Sequence, residues 1–599
     1  MGLAKHRAIA KWAFAIENFV KAGSTGGSLP GDVMMIIKTL RIVLICSVII
    51  LAEGFTASTA QAVPAQGHRM MVTGPSPYSV QVVKEISAKG GNVVDALVAV
   101  ALELGVTHPY YASLGGGGFA LVKIGTEKIA LDFREMAPAS ANADTYAEKE
   151  AKASLTGGLA VGVPGVAAGL YELHKKYGKL KWAQIVEPSI KLAAQGFEVS
   201  GEWAALVKRN HDRFTSDGRQ IFFSGKNSVA LRAGDLFKQP ALAKFLKRYA
   251  KEGAKAFYQG ATAIEIVDLV NQTGGVYTIA DLANYKVRWL TPLTTKYMGY
   301  DVILMPPPSS GGIVIAQALR LTEKTKLAEK TQALSVDEFH GLIEIERLSY
   351  RNRIALGDPD FTKNPTDTLM KEENLDALAA MIKPDKAIAS ASLLTPEEKK
   401  IIERAKEEKP ETTHVSVMDS EGNTVAMTIT LNGDFGSGLV TKSGIALNNE
   451  MDDFTTHVGK PNMFGLIQGE ANAVRAGARP LSSMSPTIVE KDGQTVLSLG
   501  SPGGPRIISA VFQVIYRTLA RGLDVDVAIQ SPRVHHQFLP DVVKTDANKL
   551  PPESVAGLKA RGHTVEFSST AKVYAIQRAA DGSLSAAADA RGEGAAGGN

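Results

Sequence analysis

Thr412 stands where two unlike stretches of chain meet, at the start of E-T-T-H-V-S-V-M-D-S-E-G-N-T-V-A-M-T-I-T from Glu411 to Thr430. Before it, Thr395 to Glu411 is a run of charge with few apolar residues and no obvious core face. After it, polarity alternates with period two: Val415 and Val417, then Val425, Met427 and Ile429, share faces. Asp419-Ser420-Glu421-Gly422-Asn423 supplies turn residues between them, so a β-hairpin is predicted. An exposed stretch running straight into a buried strand suits chain cleavage between Glu411 and Thr412. Cleavage would leave Thr412 with its own base, an α-amino group whose ordinary pKa of about 7.7–8.0 lets it accept a hydroxyl proton near neutral pH. On spacing alone, an ordinary hairpin with threonine at a strand end is the favoured reading.

Other reactive residue types carry less. His535-His536 has no carboxylate or cysteine at metal-ligand spacing, and neighbours on a strand point to opposite faces. Ser113 to Gly118 (S-L-G-G-G-G) lacks the G-K-[ST] of a phosphate loop and reads as a close-packed turn. His414 reads as a packing residue of the strand rather than a base. The single cysteine, Cys46, lies in an apolar run that belongs to an export signal. Lys38 and Arg41 form its positive part, Ile42 to Ala52 its apolar part, and Ala60-Gln61-Ala62 a cleavage site. The apolar part is shorter than the roughly 20 residues that span a bilayer. Residues 1–33 do not fit such a signal, so Met34 or Met35 is the expected start. Export to a periplasm or out of the cell follows, and the mature chain has no cysteine for disulfides or thiolate metal sites. A formal net charge of +5 over 599 residues, with no basic stripe interleaved with aromatics, argues against a nucleic-acid partner.

The elements that must position Thr412 can be read from periodicity. Pro77 to Val106 predicts two helices broken at Gly90-Gly91, and Phe119–Ile124 and Lys128–Phe133 two strands. Helices are predicted over Ala160–Tyr177, Trp182–Gln195, Leu236–Glu252, Ile264–Gln272, Ile313–Thr325 and Ser335–Leu356. Pro306 to Gly312 is a turn leading into the fifth of these. Beyond Thr412, strands are predicted at Ile445–Asn448, Thr487–Glu490 and Thr495–Leu499, with a turn at Asp492-Gly493 and a helix from Arg506 to Arg521. Ala586 to Asn599, rich in Ala and Gly, reads as frayed. The pattern alone supports a mixed α/β class.

T-T-H-V-S-V, T-I-T-L-N, F-G-S-G, L-N-N-E-M-D-D-F, R-P-L-S-S-M-S-P-T and G-S-P-G-G follow in order between Thr412 and Gly504. Together they resemble the small subunit of a γ-glutamyltransferase, an N-terminal nucleophile hydrolase. L-D-F-R-E-M-A-P-A at Leu131–Ala139 and S-L-G-G-G-G-F at Ser113–Phe119 resemble that family's large subunit. The resemblance runs from about Pro75 to Arg591. It implies an α+β fold, a four-layer αββα sandwich made jointly by two pieces of one precursor. The expected division is 1–62 extension and signal, 63–411 large subunit, and 412–599 small subunit, paired as a heterodimer.

It also implies roles. Thr412 is the nucleophile, released by a cut between Glu411 and Thr412, with Thr413 the alternative if the cut falls one residue later. Thr430 matches a second threonine whose hydroxyl bonds the nucleophile. Gly503 and Gly504 match an oxyanion hole. Arg134, with Ser482 and Ser483, would clamp a substrate α-carboxylate, and Asn432, Glu450 and Asp453 the α-ammonium. Substrates implied are glutathione and other γ-glutamyl compounds, with water, amino acids or dipeptides as acceptors, and no cofactor or metal. Pro461 to Arg479 resembles a lid loop, in which Phe464 stands where relatives often carry tyrosine. Loss of that hydroxyl implies easier opening.

Overall fold

The alternation that predicts the hairpin from Thr412 also determines how its two strands are buried. In the structure, a computed structural model, Thr413–Asp419 and Thr424–Thr430 pair antiparallel with Val415 opposite Met427 and Val417 opposite Val425. The structure describes residues 64–224, 229–401 and 412–599. The export signal, Cys46, Glu411 and most of the charged run lie outside them.

The hairpin sits inside a seven-stranded antiparallel sheet. Its strand order is Ala595–Gly598, Met70–Gly74, Thr413–Asp419, Thr424–Thr430, Gly117–Ile124, Glu127–Phe133, Arg288–Leu290. A second seven-stranded sheet runs Ala65–Gly67, Leu584–Ala588, Tyr574–Arg578, Gln494–Gly500, Thr487–Lys491, Tyr300–Leu304, Leu293–Tyr297, also antiparallel throughout. Each sheet combines strands from before and after Thr412.

Each strand of the hairpin has an apolar face and a polar or small face, and the two face different layers. Val415, Val417, Val425, Met427 and Ile429 pack with residues of the helices Pro77–Ala88, Val93–Thr107 and Val166–Tyr177. Ala426, on the other face, joins Phe119, Leu121, Ile303 and Ile488 between the sheets. Met71 and Met418 likewise meet Ile576 and Ala586 there. Helices Gly311–Thr325, Val336–Arg351 and Arg506–Ala520 pack into the core of the second sheet. Helix, sheet, sheet, helix is the order of layers expected.

Several sequence boundaries shift for physical reasons. The helix expected from Ala160 begins at Val166, because Val163 bridges Met136 (N–H to O, 2.7 Å) in extended backbone directly before Pro164. Leu236–Phe237 is a short strand pairing with Phe197–Glu198, and the helix starts at Pro240, a residue suited to a first helical turn. Ser335–Leu356 is a helix, Val336–Arg351, followed by a 3-10 turn, Asn352–Ala355. Ile445–Asn448 is not a strand. Only the isolated bridges Gly115 to Leu447 and Val440 to Ala446 form there. The expected frayed end is wrong: Leu584–Ala588 and Ala595–Gly598 are both sheet strands. Pairing uses backbone groups, and the small residues permit close approach. At Gly598 a Cβ would fall 1.9 Å from Met70 O.

Candidate active site

Alternation along Thr413–Asp419 sends His414 and Ser416 towards the second sheet. Ser498 Oγ donates to Ser416 Oγ at 2.9 Å, and the His414 ring fills the space where a Cβ on Gly500 would come within 2.2 Å. Its nitrogens meet Thr428 Oγ1 (2.8 Å) and Ser416 Oγ (3.0 Å), and burial holds its pKa down to about 3. His414 is thus a neutral packing residue, as expected. Thr412 falls on that same side. Thr413 falls on the opposite side with Val415, its hydroxyl buried without a hydrogen-bond partner among the described residues.

Thr430 ends the returning strand, and its Oγ1 lies 3.3 Å from Thr412 Oγ1. The backbone N–H of Asn432 donates to Thr430 Oγ1 at 2.8 Å. The glycine run is part of this placement. Gly117 pairs opposite Thr430, and a Cβ on Gly116 would sit 2.0 Å from Thr430 O. It is the close-packed turn beside the site that the sequence predicts.

Gly503 and Gly504 have φ of 127° and 57°, left-handed backbone that disfavours other residues. Their carbonyls accept from Arg506 and Ile507 N–H (3.2 and 3.1 Å) as the helix Arg506–Ala520 begins. The bend leaves the peptide of Gly504 on the wall of a small cleft. That cleft is lined by Thr412, Thr430, Arg134, Asn432, Glu450, Asp453, Ser482 and Ser483 as well. All the expected site residues except Gly503 and Glu411 line it. Gly503 immediately precedes the lining residue, and Glu411 is not described.

Arg134 sits 1% exposed, donating through Nε to Pro480 O (3.2 Å), through Nη1 to Glu450, and through Nη2 to Asp453 Oδ2 (2.6 Å). Groups expected to grip opposite ends of a ligand therefore pair with one another. Burial alone would lower the pKa of Arg134, but Glu450, Asp453 and Glu135 together hold it above the ordinary arginine value. Burial raises all three acids despite the nearby guanidinium, Glu135 to about 7. Ser482 is fixed by the Pro306–Gly312 turn. Its N–H donates to Pro308 O (2.8 Å), and its carbonyl accepts from Ser310 N (2.8 Å) and Ser310 Oγ (2.7 Å).

The loop from Pro461 to Arg479 closes one side. Phe464 and Leu466 line the cleft, and their N–H groups donate to Asn462 Oδ1 (3.0 and 3.1 Å). Asn462 Nδ2 donates to Asp453 Oδ1 (3.1 Å), while Met463, Phe464 and Leu466 form a small apolar cluster. Closure thus uses an asparagine and hydrophobic contact rather than a hydroxyl at position 464. The sequence reading missed Arg353, Met484 and Ile507, which also line the cleft. Arg353 has no local signal, being one arginine of three in R-N-R and its helix.

Comparison with known proteins agrees with this architecture. A family model described as gamma-glutamyltranspeptidase matches residues 79–599. The chain is similar to the glutathione hydrolase proenzyme of Escherichia coli (strain K12), 40% identical over 543 residues that cover 88% of this chain and 91% of that one. Among solved structures, the cephalosporin acylase from Bacillus halodurans superposes with a TM-score of 0.77 at 25% identity, covering 90% of this chain and 97% of the acylase. The gamma-glutamyltranspeptidase of Helicobacter pylori gives a TM-score of 0.52 at 36% identity, over 55% of this chain and 96% of that one. A match running from the second strand's helix to the last residue, together with relatives aligned over most of their length, establishes that the chain belongs to the gamma-glutamyltranspeptidase family.

Proposed function

We propose that this chain is a self-processing γ-glutamyltransferase that cleaves the γ-glutamyl bond of glutathione and related compounds through an ester on Thr412. The observation that carries the reading is the approach of Thr412 Oγ1 to Thr430 Oγ1 in a buried cleft that also holds Gly504 and a cluster of opposite charges. The proenzyme name of the Escherichia coli relative supports processing, and its hydrolase name supports the substrate.

In maturation, Thr412 Oγ attacks the Glu411 carbonyl carbon. The C–N bond breaks as the ester forms, and the nitrogen takes the hydroxyl proton. Water then hydrolyses the ester, returning the hydroxyl and leaving a Glu411 carboxylate. In turnover the freed amine accepts the Thr412 hydroxyl proton as Oγ attacks the γ-carbonyl. The developing oxyanion meets the N–H groups of Gly503 and Gly504, where one donor is typically worth about 10²–10³ in rate. The proton passes to the leaving amine, and water or an acceptor amine resolves the acyl-enzyme. Ser482, Ser483 and Arg134 face the α-carboxylate, and Asn432, Glu450 and Asp453 the α-ammonium. The mature enzyme is a pair of the 63–411 and 412–599 pieces, exported through the signal over residues 34–62.

A second reading, an acylase for substrates without the amino group, is favoured by the fold likeness to the cephalosporin acylase. Two acids beside Arg134 argue for a cationic substrate group instead. The test is turnover of γ-glutamyl-4-nitroanilide against glutaryl-4-nitroanilide, each with and without a dipeptide acceptor. Preference for the γ-glutamyl anilide supports the transferase reading, and preference for the glutaryl anilide overturns it.

A further inference from the structure

Two guanidinium groups line the cleft, and they are treated differently by their surroundings. Arg134 is bonded to Glu450 and Asp453. Arg353, 4% exposed, donates through Nε to Ser310 Oγ (3.0 Å) and through Nη1 to Gln468 Oε1 (3.0 Å), both neutral acceptors. Among the described residues no carboxylate forms an ion pair with it. A buried guanidinium whose own hydrogen bonds go only to neutral acceptors, with Asp453 acting on it from beyond ion-pair contact, is costly to bury, and an anion arriving against it makes the arrangement more favourable.

The partners of Arg353 locate that anion. Ser310 is also bonded to the carbonyl of Ser482, so Arg353 is pinned to the wall that presents Ser482 and Ser483. Gln468 donates to Asp453 O at 2.6 Å, so the other side of Arg353 is tied to the closing loop and to the acid cluster. Asp453 and Arg134 are also near enough to influence its charge. Arg353 therefore belongs to the part of the cleft that holds Ser482, Ser483 and Asp453, where the substrate's amino-acid head would sit.

We propose that Arg353 is a specificity-determining residue that adds a second positive group to the site of the substrate α-carboxylate, beside Ser482 and Ser483. The proposal rests on the γ-glutamyl reading above. In this division Arg134 gives part of its hydrogen-bonding capacity to orienting Glu450 and Asp453, and Arg353 meets the carboxylate with donors no acid has taken. A carboxylate held by charge-assisted bonds from two arginines makes the enzyme reject compounds in which that group is neutral.

The test compares processed wild type, Arg353→Gln and Arg353→Lys on γ-glutamyl-4-nitroanilide and on its analogue with the α-carboxylate replaced by a carboxamide. A lost hydrogen bond to a charged group corresponds to roughly 10- to 100-fold. The expected result is that Arg353→Gln lowers the carboxylate-over-carboxamide preference in kcat/KM by that factor. The change should lie mostly in KM, and Arg353→Lys should recover part of it. Should Arg353→Gln fail to process, the preference of Arg353→Lys decides, with a drop of several-fold expected. Equal losses on both substrates, or an unchanged preference, would overturn the proposal and leave Arg353 a packing residue of the wall. Absence of wild-type turnover on the γ-glutamyl anilide would instead sink the underlying γ-glutamyl reading.

Discussion

Thr412 and Thr413 are adjacent, chemically identical and on opposite sides of one strand. Only Thr412 faces Thr430, so Thr412→Ala is expected to leave an uncut chain without turnover. Thr413→Val replaces with a methyl a buried hydroxyl that has no hydrogen-bond partner among the described residues. Removing an unsatisfied buried polar group is neutral or favourable, so this variant should still be cut and unfold at the same or a higher temperature. A denaturing gel and a thermal melt of both variants check the pair. Loss of cutting in Thr413→Val with normal cutting in Thr412→Ala would reverse the assignment. His414 offers a pH test. Its folded pKa of about 3 lies below the unfolded value near 6.5, so between these values the unfolded state binds more protons. Its contribution is complete above pH 6.5 and is lost as pH falls, by up to about 1.4 kcal/mol per unit. Denaturant unfolding at pH 6 and pH 4 should therefore show a shallower stability loss for His414→Gln than for wild type.

At the scale of elements, the hairpin was legible because its two buried faces meet different layers, apolar residues against the helices and small or polar ones between the sheets, and Val415, Val417, Val425, Met427 and Ile429 do share one core. Two elements were illegible for opposite reasons. Ile445–Asn448 looks like a strand, but its neighbours offer only isolated bridges. Ala595–Gly598 looks like a loose end, yet Gly and Ala are what close backbone pairing beside Met70–Gly74 requires. Within the site, the motif order made the polar residues legible. Arg353 was not, because its role depends on Ser310 and Gln468, distant in sequence. The closing loop makes its own prediction. Asn462→Ala removes the bond to Asp453 and the acceptor for two backbone N–H groups. Limited proteolysis between residues 461 and 479 should accelerate, and KM should rise several-fold. An unchanged cleavage rate would mean that the apolar cluster and the remaining bonds, Met463 N–H to Asp452 Oδ2 (2.8 Å) and Gln468 Nε2 to Asp453 O (2.6 Å) among them, hold the loop without Asn462.

For the whole molecule, the strand order matters more than the cut. Thr413–Asp419 and Thr424–Thr430 lie between Met70–Gly74 and Gly117–Ile124, so the two expected pieces share both sheets. Separating them would break backbone ladders on each side of the hairpin, a cost far above that of parting a surface contact. The pieces should therefore co-elute under native conditions and part only on denaturation. Deleting residues 595–599 uncovers the edge beside Met70–Gly74 and should lower the unfolding midpoint by several degrees, measured by thermal melting. The most direct measurement is the intact mass and N-terminal sequence of the purified protein's polypeptides after denaturation. The account predicts two chains, the smaller beginning Thr412-Thr413-His414-Val415. A single uncut chain, or a smaller chain beginning at any other residue, would contradict it.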